Sequence, residues 1–178
     1  MLEEKIDYSI ETLDLEEDND DFVYFTDFNK TEIIKLNIEQ LRLFKLLNNL
    51  FDMDKSILNN SDNPIVIQQC KNSEMLKFIN EYSKINKYEE HPKPEIPLRK
   101  DTLKELFVKE EYELFKPLYD DFIEGEKIIE YINFANYLNA DNLLYKLCAI
   151  LGLLLLENSE TNDKIKKLKN KVDNSDLF

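Results

Sequence analysis

The sequence predicts an α+β fold, a small sheet with helices packed on it and a short helical extension after it. The first observation is the order of patterns: two strand-like runs, a helix, a third strand-like run and another helix. The second is a proline-rich connector followed by a terminal pair of strongly apolar helices, so strands and helices are segregated rather than alternating. The third is composition. Of 178 residues, 43% are hydrophobic and 11% aromatic, ample for the packed core of one ordinary domain.

Residues 11–21 hold seven carboxylates and no cation, so self-repulsion predicts a solvated acidic arm over residues 1–21. Phe22-Val23-Tyr24-Phe25-Thr26 then reads as a strand of aromatic and β-branched residues. Asp27–Lys30 is polar enough to turn, and Glu32–Leu36 supplies a second strand; two strands so close pair as an antiparallel hairpin. Ile38, Leu41, Phe44, Leu47 and Leu50 or Phe51 recur at three- and four-residue steps, which predicts one helix with one inward face. Asn59–Pro64 is a loop, and the β-branched run Ile65-Val66-Ile67 is a third strand.

Lys71-Asn72-Ser73 opens the next helix, with Met75, Leu76, Ile79 and Tyr82 on its inner side. Three prolines between Pro92 and Pro97 make Glu89–Pro97 an extended connector. Beyond it, Leu103, Leu106, Phe107, Glu110 and Leu114 suggest a helix closed by Pro117, and Tyr119–Phe122 a turn or short strand. Two strong helices follow. The first, about 126–138, carries Ile128, Ile129, Ile132, Ala135 and Leu138 on one side. The second, about 140–157, is apolar almost all round and needs neighbours on more than one face. Asn158–Asn162 breaks it, and Lys164–Lys171 is a short lysine-rich candidate helix.

The formal charge of -14 opposes phosphate, which argues against nucleic acid and anionic membranes as partners. The longest apolar run, Leu147–Leu156, is about half of a bilayer span, and no charged-then-apolar leader opens the chain. Two glycines, Gly125 and Gly152, cannot build a phosphate-cradling loop, and one histidine with two cysteines is too few for an ordinary zinc site. No cofactor is therefore expected. Cys70 and Cys148, far apart in apolar surroundings, read as packing thiols in a reducing compartment, the cytoplasm or nucleus. His91 falls among prolines, where solvent rather than a rigid base-holding pocket is expected. Adjacent acids such as Asp120 and Asp121 are expected by chance in a chain this acidic. What remains is a binding module rather than an enzyme.

Three stretches carry a more specific signal: Pro117–Phe122, Ile132-Asn133-Phe134-Ala135-Asn136-Tyr137-Leu138, and Ala140–Cys148. Ala135-Asn136-Tyr137-Leu138, a short gap, Leu143-Leu144 and Cys148 resemble the S-phase kinase-associated protein 1 family, the F-box adaptors of SCF-type ubiquitin ligases, built on a BTB/POZ core. The resemblance extends to Asp62–Ile67 as a third strand, Asn72–Asn86 as the following helix, Glu89–Pro97 as an acidic linker and Glu32–Asp54 as a second strand and first helix. The chain departs from the family in carrying Tyr119 where a tryptophan is usual, and in the added segment Leu98–Lys116.

The resemblance implies a BTB/POZ-like core over 22–138, a helical F-box-binding-like region over 139–172, and a tail over 173–178. It implies a non-catalytic adaptor whose partners are a cullin and an F-box protein. Asn136 and Tyr137 match the cullin-facing positions. On the last long helix, Leu144, Leu147, Cys148 and Leu151 are expected to face the core. Ile150, Leu153, Leu154 and Leu155 would then be left outward, forming an F-box surface together with Ile165 and Leu168. The short segment after Asn158 keeps a second reading open, a one-sided BTB-type module that self-associates or occupies a cullin without recruiting substrate.

Overall fold

The structure, a computed structural model, describes residues 21–87, 90–95, 102–120 and 126–157. The acidic arm up to residue 20, the lysine-rich segment with Ile165 and Leu168, and the tail lie outside the described residues.

The described residues open with the anticipated hairpin. Strands β1 (Phe22–Thr26) and β2 (Ile33–Asn37) pair antiparallel, Phe22 opposite Asn37 and Thr26 opposite Ile33. Strand alternation puts Val23, Phe25, Ile34 and Leu36 on the buried face. Asp27 shapes the connection: its carboxylate accepts the Thr31 hydroxyl and amide, both at 2.7 Å, and the Glu32 amide at 3.3 Å. Strand β3 (Ile65–Val66) runs parallel to β1 on its other edge, giving the order β2-β1-β3.

The helix expected across 38–51 is two. A short α1 (Ile38–Leu41) starts from a capping box in which Asn37 and Gln40 exchange side-chain and amide bonds at 3.0 Å each. Then Phe44 adopts an extended backbone, φ -123°, before α2 (Lys45–Met53) begins. The break turns the Phe44 ring fully inward, 6.4 Å from the ring of Tyr82, where a continuous helix would have to bury its neighbours with it. Leu47 and Phe51 complete the inner face, while Leu50 is largely exposed. A single 3-10 turn, Lys55–Ile57, leads into the loop before β3.

Helix α3 (Ser73–Ile85) begins at Asn72, whose side chain caps the Met75 amide at 3.0 Å. Met75, Leu76, Ile79 and Tyr82 are buried as anticipated, and Phe78 joins them. This helix packs on β2 and on the later helix over Lys109–Asp120. The described part of the connector, 90–95, carries neither helix nor strand.

The segment before the terminal pair corrects the sequence reading. Helix α4 (Leu103–Leu106) stops at Phe107, which is extended, and α5 (Lys109–Asp120) starts afresh. Pro117 lies inside α5 instead of ending it, and Tyr119 and Asp120 are helical rather than turn or strand. Pro117 is exposed and cannot donate to the preceding turn. Phe115 and Leu118 on either side of it are buried, and their packing carries the helix through. The restart at Lys109 also shifts the helical phase by a residue: Glu111, not Glu110, faces inward.

Helices α6 (Glu126–Tyr137) and α7 (Asp141–Glu157) form the terminal hairpin. Asn139 takes a left-handed φ of 56° between them, and the Ala140 amide reaches back to the Ala135 carbonyl at 3.0 Å, closing the end of α6. Ile128, Ile129, Ile132, Ala135 and Leu138 are all buried, as their spacing requires.

Candidate functional site

Two surfaces and one buried cluster lie around the α6–α7 hairpin. The first surface is at the C-terminal end of α6. Asn136 is exposed and Tyr137 partly so, its ring resting against the core. Both border a cleft of about 370 Å³ whose other walls include Gln69, Lys71, Met75 and Asn133. Lys71 and Glu130 bridge its rim at 2.9 Å. Its lining is rich in amides, suited to hydrogen-bonding a peptide backbone and without a nucleophile or an oriented base.

The second surface corrects the expected orientation of α7. Ile150, Leu153 and Leu154 are core residues and Leu155 is half-buried, so three of the four side chains expected outward point in. Conversely, Cys148 is exposed, and Leu144 and Leu151 are only partly buried. The reason is helical phase. Leu143, Leu147, Ile150 and Leu154 make one stripe against α6; past its first turn the helix carries a single charged residue before Glu157, Lys146, which is itself buried, so no polar residue marks the outer face for a sequence reading.

On the opposite side, Leu144, Tyr145, Cys148, Ala149 and Gly152 line a predominantly apolar groove of about 680 Å³. Leu156, 62% exposed, continues along the same helix. Gly152 contributes by having no side chain, which lowers the groove floor. Although Cys148 is exposed, the apolar groups around it desolvate the thiol and push it up from its ordinary value, so it is protonated at neutral pH. Cys70, in the core near Asp27, is pushed up to about 12, first by burial and then by that neighbouring charge.

The buried cluster was not legible in the sequence. Lys146 on α7 and Glu111 on α5 are almost wholly buried and meet at 2.6 Å. Burial lowers the Lys146 pKa, against the opposing pull of its bond to Glu111. The same Glu111 oxygen accepts the Asn86 amide at 3.2 Å and lies 3.5 Å from Nδ1 of His91. His91 therefore is not a solvent-facing connector residue: its backbone N–H donates to Asn86 Oδ1 at 3.0 Å. Its carbonyl and the Glu90 carboxylate accept Asn142 Nδ2, at 3.3 Å and 2.9 Å.

These bonds pin the connector to α3, α5 and α7 and carry Lys93 to within 5.4 Å of the Tyr145 ring, at the groove's edge. The cluster is thus a strut that positions one wall of the groove. A lysine inside an apolar helix is a signal that an acid must be near. With Asp+Glu totalling 37, the sequence does not say which.

Among the described residues, no group of three or more His, Cys, Asp or Glu side chains is placed to hold a metal ion, and no helix is long and apolar enough to cross a membrane. No protein-family model matches the chain, and no curated protein does either.

Proposed function

We propose that this chain is a non-catalytic adaptor of the SCF type, holding an F-box substrate receptor at a fixed position relative to a cullin. The observation that carries the reading is the pair of surfaces on one helical hairpin: an amide-rich cleft at the end of α6 and an apolar groove along α7. An adaptor acts by geometry, so it needs two separate interfaces on a stiff element and no reactive group. The antiparallel β1–β2 pair, β3 parallel to β1, and the later helical hairpin support a BTB/POZ-like core, the fold that the resemblance around Ala135–Cys148 implies.

The receptor surface in this reading is the groove of Leu144, Tyr145, Cys148 and Gly152, because Ile150, Leu153 and Leu154 are occupied in the core. An amphipathic helix laid in such a groove supplies its apolar face to cover it. Asn136 and Tyr137 serve the scaffold side.

Mixing the full chain with a cullin N-terminal domain and with an F-box peptide tests the proposal. Both should bind. Asn136→Lys with Tyr137→Lys should abolish cullin binding and spare the peptide, and Cys148→Glu should do the reverse, with circular dichroism unchanged in each. Binding of one partner alone leaves the one-sided module, and binding of neither overturns the adaptor.

A further inference from the structure

We propose that the side chains of Lys146 and Asn86 join in an amide cross-link, releasing ammonia, with Glu111 carrying the protons. The site is the buried cluster, so the proposal stands apart from the two docking surfaces. Lys146, Asn86 and Glu111 are each no more than 1% exposed. One carboxylate oxygen of Glu111 accepts Nζ of Lys146 at 2.6 Å and Nδ2 of Asn86 at 3.2 Å, which holds the amine beside the amide it attacks. The His91 backbone N–H donates to Oδ1 of Asn86 at 3.0 Å. That bond polarises the carbonyl and is already aimed at the oxygen on which negative charge develops during attack.

An amine is a nucleophile only when neutral, and burial favours that form: desolvation lowers the Lys146 pKa, against the pull of Glu111. Passing the ammonium proton to Glu111 removes both buried charges at once. The proton also has a place to go. Nδ1 of His91 is buried 3.5 Å from the same Glu111 oxygen and has no hydrogen-bond partner among the described residues. As the acceptor of a neutral imidazole it receives the O–H of a neutral Glu111, a bond that an ionised carboxylate cannot donate.

Nζ of Lys146 gives one proton to Glu111 and adds through its lone pair to Cγ of Asn86, forming the new C–N bond. Glu111 protonates Nδ2 as the Cγ–Nδ2 bond breaks, then takes a second proton from Nζ. The products are a secondary amide, one ammonia and a neutral Glu111; nothing is oxidised or reduced. Asn86 borders a cleft of about 390 Å³ shared with Arg42, Glu90 and Asn142, which gives the ammonia its way out. The chain folds with the ion pair, and the link follows from it. It fastens the C-terminal cap of α3 to α7, the helix that carries the apolar groove.

Intact-mass spectrometry of the full chain tests this, with the folded protein held at neutral pH until its mass is constant and then denatured. The chain should be lighter than its sequence by one ammonia, and proteolysis should release one branched peptide joining the segments around Asn86 and Lys146. Lys146→Arg and Asn86→Ala should each keep the full mass of their own sequence. Glu111→Gln, which cannot carry the proton, should link at least about a hundredfold more slowly at a temperature where circular dichroism shows it folded. A chain of full sequence mass overturns the proposal whatever the variants do. Loss of ammonia without the branched peptide, or a folded Glu111→Gln chain that links as fast, overturns it equally.

Discussion

Lys146 shows how a single residue ties together distant parts of the chain. Its ammonium is fully buried and stabilised mainly by Glu111, whose same oxygen also serves Asn86 and faces His91. Breaking such a pair leaves a bare charge in the core, at a cost of about 3–5 kcal/mol, whereas an apolar pair of similar volume is often neutral. Glu111→Gln should therefore lower the urea midpoint sharply. The double variant Glu111→Leu with Lys146→Met should recover most of the loss. A double variant as unstable as the single one would show that the cluster acts through packing instead. Because the cluster anchors Glu90 and His91, both variants should also weaken peptide binding at the α7 groove, the double one despite its recovered stability.

At the level of elements, agreement between sequence and structure follows the strength of the local signal. The hairpin, α3 and α6 each have a periodic apolar face, and α7 a long apolar run, with a capping or turn residue beside it, and these four lie within a residue or two of where the pattern places them. The failures occur where tertiary packing overrules a local rule. Phe44 interrupts a good helical pattern to reach Tyr82, and α5 continues through Pro117 because Phe115 and Leu118 are held in the core. Proline inside a helix costs up to about 3 kcal/mol relative to alanine. Pro117→Ala, at this exposed site, should raise the thermal midpoint. An unchanged or lower midpoint would mean that the last turn of α5 does not form the hydrogen bond that the ring denies it.

For the molecule as a whole, charge dominates the response to pH. The exposed ion pairs, such as Lys71–Glu130 and Lys77–Glu32, contribute about 0–1 kcal/mol each and do not offset the self-repulsion of a chain at -14. Acidification from neutral to about pH 5 should therefore stabilise the fold. Below that the sign reverses. Asp27 is raised by burial, but the bonds from Thr31 and Glu32 together outweigh it; Asp54 is lowered by Ser56 and Asp141 by Lys45. All three end below the ordinary 3.8, so in acid the unfolded chain takes up protons first. Their stabilisation is complete above 3.8 and is lost as the pH falls through the lower folded values. Urea midpoints across this range should pass through a maximum on the acid side of neutrality; a maximum at pH 7 or above would contradict the argument.

The α+β class, the antiparallel hairpin, the third strand and the inner faces of α3 and α6 follow from sequence alone, because each rests on a period of two or nearly four that one segment carries by itself. Asn136 and Tyr137 were likewise placed at their helix end by a short local motif. Which side of α7 is buried, and the convergence of Glu111, Asn86, His91 and Lys146, were decided only by the tertiary structure. A helix apolar all round has no preferred face until its neighbours choose one, and a buried charge acquires its partner from a segment 35 residues away.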